Sequence, residues 1–230
     1  MKFLFFGLIT TIVAFIFGGT NLNAQSTDHP VSRTAKADDL FIDFRVGYPN
    51  WGRYQSQLYF NQIKADDFNT GGVPPLTLRA TKMLSNEFSF TVNAIYNSWN
   101  GNFTVVPEIY DDQWNLIGTP ERTEFSVQRF RFQIGVNYHL DEITVENLDL
   151  FGSFLIGTNN IWSDFSTEKQ SFSLVNLGYL SGDRALVDFP VSFNLRIGMR
   201  YMLSENLGFI SDIGIGGPTI TGGLTYRVRN

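Results

Sequence analysis

The chain has 230 residues, no cysteine, and a formal charge of −5 from 17 basic and 22 acidic side chains. The absence of cysteine excludes a disulfide scaffold, a thiolate metal site, a cysteine nucleophile and a lipid-modified N-terminal cysteine. The acidic balance argues against nucleic acid as a partner, since that calls for a concentrated basic surface.

Lys2 and the apolar run Phe3 to Gly19, followed by Leu22-Asn23-Ala24, predict a cleaved signal peptide over residues 1–24. Residues 25–39, rich in Ser, Thr, Asp and Ala with Pro30, read as a flexible linker. Residues 40–230 then form one domain. No later stretch is long and apolar enough for a membrane helix, so any membrane residence demands a closed barrel. The mean hydropathy of −0.06 is compatible with that, because half of every such strand is polar.

Period-2 alternation predicts eight strands. The first is Leu40–Tyr48 and the second Leu76–Met83. The third, Glu87–Trp99, sets Phe88, Phe90, Val92, Ala94 and Tyr96 against Ser89, Thr91, Asn93 and Asn97. The fourth, Thr123–Tyr138, and the fifth, Leu148–Gly157, follow the same rule. The sixth, Val191–Leu203, is the clearest: seven apolar residues alternate with Ser192, Asn194, Arg196, Gly198 and Arg200 over thirteen positions. A soluble strand averages about 5–6 residues and a membrane-crossing one about 9–11. The seventh and eighth are Asn206–Gly214 and Thr219–Val228. Lys82 and Ser211 fall on the nominal lipid face; Lys82, near a strand end, can reach the headgroups. No segment of the mature chain carries a helical period.

The connections segregate. Leu84–Asn86, Ser204-Glu205 and His139–Asn147 are short or modest, whereas Pro49–Pro75, Asn100–Arg122 and Thr158–Pro190 are long, with Ile215–Pro218 a short final member. Short turns at one rim and long loops at the other are the asymmetry of outer-membrane barrels.

Several segments together resemble the small outer-membrane β-barrel proteins of Bacteroidota-type bacteria, related in architecture to the eight-stranded OmpX and OmpW barrels. They are Arg45–Gly52, Pro74–Arg79 running into Leu84–Phe88, Arg129–Phe132 leading to Asn137–His139, Arg200–Gly208, and Gly222–Tyr226. The resemblance implies an all-β fold: an eight-stranded antiparallel up-and-down transmembrane barrel behind a cleaved signal peptide. It implies residence in the bacterial outer membrane, long loops outside and short turns in the periplasm. It also implies outer-membrane lipid, lipopolysaccharide and the barrel-assembly machinery as partners. Such barrels commonly end on an aromatic residue, whereas this chain ends Tyr226-Arg-Val-Arg-Asn230, leaving Tyr226 or Val228 for that role.

The polar strand faces collect Asp43, Arg45, Arg79, Arg129, Arg131, Asp149, Arg196, Arg200, Asp212 and Arg227. An eight-stranded barrel has room for side chains, not for an open pore, so these seven arginines and three aspartates are expected to form a lumenal charge network. An anion path or ligand site is the less favoured reading. Tyr48, Tyr96, Trp99, Tyr201 and Tyr226 are expected at the membrane interfaces, with Trp51, Trp114 and Trp162 at or beyond the outer strand ends.

Histidine is scarce: His29 lies in the linker and His139 at a short periplasmic turn. Barrel hydrolases that use a histidine at the outer rim therefore find no counterpart, and neither an enzyme activity nor a cofactor is expected. The acidic residues Glu108, Asp111, Asp112, Glu121, Glu124, Asp164, Glu168, Asp183 and Asp188 read as solvated loop surface rather than cation ligands, since their spacing is irregular. Asp67–Gly71 lacks the remaining ligands of a calcium loop, and Gly214–Gly217 joins two strands rather than strand to helix. The favoured function is a non-enzymatic barrel with a filled lumen and a structural or surface-interaction role. The alternatives are a narrow channel or lateral-diffusion transporter for a small solute, and a soluble periplasmic lipocalin-like barrel with its faces inverted.

Overall fold

A computed structural model describes residues 35–62, 66–105, 113, 121–140, 147–167 and 190–228. The proposed signal peptide and most of the linker lie outside these residues. The elements run β1 (Leu40–Tyr48), α1 (Trp51–Gln62), β2 (Asp66–Gly71), β3 (Leu76–Met83), β4 (Phe88–Val105), β5 (Glu121–His139), β6 (Leu148–Thr167), β7 (Val191–Met202), β8 (Leu207–Ile215) and β9 (Ile220–Val228). All strand pairs are antiparallel. The order β4-β3-β1-β9-β8-β7-β6-β5 closes through β4–β5 into an eight-stranded barrel, and β2 adds to the free upper edge of β4. The fold is all-β, as the alternation predicts.

Burial is inverted relative to a soluble domain. Among the described residues, 13 hydrophobic and 25 polar or charged side chains are buried, while 31 large hydrophobic ones are exposed. The exposed set forms a belt that follows the strand pairing: Phe44 pairs with Leu78 and Leu224, and Leu224 with Phe209. A soluble monomer seldom gathers more than roughly 300–600 Å² of apolar surface in one patch, and lipid is the solvent such a belt requires. A lipocalin-like barrel needs the opposite arrangement, so that alternative is overturned.

Three departures from the sequence reading concern the long-loop side. The first connection contains α1 and β2, although no helix was expected. Pro49 and Asn50 precede the helix; the Tyr54 amide donates to the Asn50 carbonyl at 3.0 Å, and the Arg53 amide to Asn50 Oδ1 at 3.5 Å. Among its described side chains the buried positions, Gly52 and Ser56, are four residues apart. Among those side chains the helix therefore packs through small residues, while the larger apolar ones, Trp51, Tyr54 and Leu58, are exposed. Secondly, β4, β5 and β6 are 18, 19 and 20 residues long and rise past the belt as a curved wall. Glu121 and Glu124 thus belong to β5 and Asp164 to β6, not to loops. Thirdly, the wall's faces exchange character: Trp99, Phe103, Phe125 and Val127 point inward and are buried, while Asn100, Asn102, Glu124 and Ser126 point outward.

At the short-turn rim, residues 35–39 are not free linker. The Asp38 amide donates to the Met83 carbonyl and the Met83 amide to the Asp39 carbonyl, at 3.3 and 2.9 Å. Ala35, Phe41, Met83 and Met202 form an apolar cluster that floors the lumen. Lys82 donates to the Asp38 carbonyl at 2.6 Å, which anchors its ammonium at the rim. On the belt, Ser211 satisfies its hydroxyl by donating to the Thr221 carbonyl at 3.0 Å.

Candidate functional site

The lumen is the chemically richest region, and register explains its composition. Inward positions of adjacent strands lie opposite one another: Asp43 faces Arg79, Arg79 faces Asn93, Asn93 faces Gln133, and Asp149 faces Arg200. Charged groups in such a space must pair and hydrogen-bond, because an isolated buried charge costs several kcal/mol.

Two clusters do this. In the middle, Asp212 ion-pairs with Arg45 and Arg196, accepts from the Thr221 hydroxyl, and lies 3.9 Å from Arg79. Arg79 crosses the lumen to donate to Ser153 Oγ at 2.9 Å and to Asn137 Oδ1. Nearer the floor, Arg200 Nη1 donates to Asp149 Oδ2 at 2.8 Å, and its Nη2 lies 3.6 Å from Asp43. The Arg200 guanidinium covers the Phe41 ring at 3.8 Å, so its charge is also met by a π face. Gly198 makes room there: a Cβ at this position would stand 2.6 Å from the Phe151 ring. Arg227 lies 3.7 Å from Asp39.

His139 is not a turn residue. It ends β5, and its side chain is buried in the lumen. Its Nδ1 is 2.7 Å from Asp149 Oδ1 and its Nε2 is 2.9 Å from Ser89 Oγ. This is the connectivity of a Ser-His-Asp triad, and no short motif announces it. The surroundings are those of a structural relay. Ser89 is 0% exposed, Asn137 Nδ2 donates to Ser89 Oγ at 2.6 Å, and Asp149 is shared with Arg200. A donor chain Asn137 to Ser89 to His139 to Asp149 uses every available proton and leaves the hydroxyl unreachable by a substrate.

All ten charged residues read from the polar strand faces point inward, Arg131 half-buried and the other nine buried. Of the five proposed interface aromatics, Tyr48, Tyr201 and Tyr226 are exposed on the outer face and Tyr96 is half-buried there. Trp99 is a correction: it is 4% exposed and points inward, with Arg129 over its ring at 5.3 Å. The Gly52 backbone lies against it on the helix side, where a Cβ would stand 2.5 Å from the indole. Trp51 and Trp162 are exposed, and Trp114 lies outside the described residues. Among the described residues, no group of three or more His, Cys, Asp or Glu side chains is placed to hold a metal.

A second surface lies outside the wall. Register places Asn69, Asn102, Glu124 and Ser166 in one row and Gly71, Asn100, Ser126 and Asp164 in the next. They line a hollow of about 470 Å³, rich in amides, hydroxyls and carboxylates. Its position directly above the apolar belt could not be read from sequence, because the inversion of faces along β4–β6 hides it.

No protein-family model and no curated relative matches the chain. Solved structures do resemble it. A de novo designed transmembrane β-barrel is similar at 14% identity and a TM-score of 0.42, covering 84% of this chain and 98% of that one. The outer membrane protein OprG from Pseudomonas aeruginosa is similar at 14% identity and 0.41, covering 85% and 98%. Ail, the attachment invasion locus protein of Yersinia pestis, is similar at 7% identity and 0.38, covering 84% and 100%.

Proposed function

We propose that this chain is a non-enzymatic barrel of a bacterial outer membrane, its lumen plugged by its own side chains, acting in envelope structure or surface contact. The observation that carries this reading is the inversion of faces: an apolar belt outside and an ion-paired, hydrogen-bonded interior. In such a membrane the long-loop rim faces outward and the short turns face the periplasm. The polar rows on the wall then stand at the height of lipopolysaccharide sugars, where amides and hydroxyls supply hydrogen bonds. Tyr226, exposed near the end of β9, is the aromatic residue offered to the assembly machinery.

Two measurements test the reading. Detergent-extracted protein is expected to migrate differently on gels before and after boiling; recovery as a detergent-free monomer overturns membrane residence. Planar bilayers are expected to show no steady conductance, because Arg45, Arg79, Arg196 and Asp212 meet across the lumen. A stable ohmic step instead supports the narrow-channel alternative.

A further inference from the structure

The lumenal charges do not all find partners, and the remainder is localised. Asp212 takes Arg45, Arg79 and Arg196; Asp43 and Asp149 take Arg200; Asp39 takes Arg227. Among the described residues this leaves Arg129 and Arg131 without a carboxylate. Both are inward-facing on β5, two positions apart, on the long-loop side of the Asp212 cluster. Arg131 has only neutral acceptors, Asn159 Oδ1 at 3.3 Å and the Gly216 carbonyl at 3.4 Å. Arg129 is 91% buried, and its Nε has no partner. The indole beneath it is in the same state, since Trp99 Nε1 is buried and unpaired.

Two guanidiniums and an indole N–H are donors only, so no rearrangement among them can satisfy them. A buried cation without a counterion is strongly disfavoured, and two on one face compound the cost. The group that answers two neighbouring guanidiniums short of acceptors is a small anion with several oxygens, for which the planar guanidinium fork is well matched. Arg131 is half-buried rather than buried, so the pair can be approached from the long-loop side. We propose that Arg129, backed by the Trp99 ring, and Arg131 form a site for a soluble tetrahedral oxyanion, of the phosphate or sulfate class, in the outer mouth of the lumen. The site differs from the filled-lumen reading in adding a ligand, and it does not depend on which membrane holds the barrel.

The test is calorimetric titration of the full folded chain, in uncharged detergent, with inorganic phosphate, and in parallel with a short-chain phosphatidate. Saturable phosphate binding with a dissociation constant of about 1 mM or tighter is expected, weak by the standard of buried sites because the ions must be desolvated. Arg129→Gln and Arg131→Gln are each expected to weaken it at least tenfold, and the exposed Arg122→Gln to leave it unchanged. Phosphate should also raise the unfolding temperature of the wild type but not of Arg129→Gln. Removing a buried unpaired charge should leave that variant folded, and Arg131→Gln supplies the same comparison independently. The proposal is overturned by an absence of saturable phosphate binding, by Arg129→Gln and Arg131→Gln binding as the wild type does, by an equal loss in Arg122→Gln, or by binding of the phosphatidate alone.

Discussion

Arg45 on β1 and Asp212 on β8 form an ion pair across the intervening strand β9, 167 residues apart in sequence. Both side chains are essentially inaccessible. Asp212 thus ties β1 to β8, and through Arg196 to β7. A single carboxylate restrains three guanidiniums, which makes it the most exposed point of the design to substitution. Asp212→Asn is expected to cost about 3–5 kcal/mol, since removing one member of a buried network strands the others. Urea unfolding in lipid vesicles measures this. The double variant carrying Arg45→Gln as well should recover part of the loss, and a purely additive result would show that the two residues do not interact.

The Ser89-His139-Asp149 relay gives a second expectation. If it is structural, Ser89→Ala leaves His139 Nε2 without its partner at 2.9 Å and costs about 1–3 kcal/mol. A serine-directed phosphonate probe should give no adduct with the folded wild type, because Ser89 is wholly enclosed. An adduct in folded protein, lost in Ser89→Ala, would make the relay a working nucleophile instead.

The helix makes a third. Gly52 lies where a Cβ would stand 2.5 Å from the Trp99 ring. Gly52→Val must push α1 away from the barrel mouth, because the indole is wedged between the helix and Arg129. Tryptophan emission should shift to the red as Trp99 gains water, and Trp99→Phe should abolish that shift. An unchanged spectrum would mean that α1 does not press on the indole.

How much of this was legible follows from one periodic signal. The bounds of β1 and β3 coincide with their alternating segments, because both cross the belt with apolar residues out and polar residues in, apart from Phe41, Lys82 and Met83 at the short-turn end. The lumenal arginines and aspartates were legible for the same reason. Trp99 was misplaced because the alternation changes sense beside it: below, apolar means outward; above, apolar means inward. A strand read from sequence ends where its phase breaks, which is why the sequence reading stops β4 at Trp99 and β6 at Gly157, although it follows β5 from Thr123 to within one residue of its end. Strand β2, Asp-Asp-Phe-Asn-Thr-Gly, is polar apart from Phe68 and held by edge pairing, so no alternation marks it. The relay needed register: Ser89 and Asp149 flank His139 only because β4 and β6 pair with β5 on either side.

That reversal of phase is itself open to measurement, by placing one charge at three outward or inward positions. Ile197 is 70% exposed in the belt, so Ile197→Arg should be harmless in a soluble protein and cost about 2–4 kcal/mol where lipid surrounds it. Gln128 is also exposed, but its outward position lies above the belt, where Gln128→Arg should change stability by less than about 0.5 kcal/mol. Val127, one residue away, is buried on the inward face of the wall, so Val127→Arg should be severe. Unfolding of the three variants in vesicles therefore orders them with Gln128→Arg mildest. Equal costs for Ile197→Arg and Gln128→Arg would place both in one environment and erase the boundary between belt and wall. A tolerated Val127→Arg would do the same for the wall's apolar inner face. Because the three charges are chemically identical, any ordering among them reports environment alone: lipid against Ile197, water against Gln128, and packed protein against Val127.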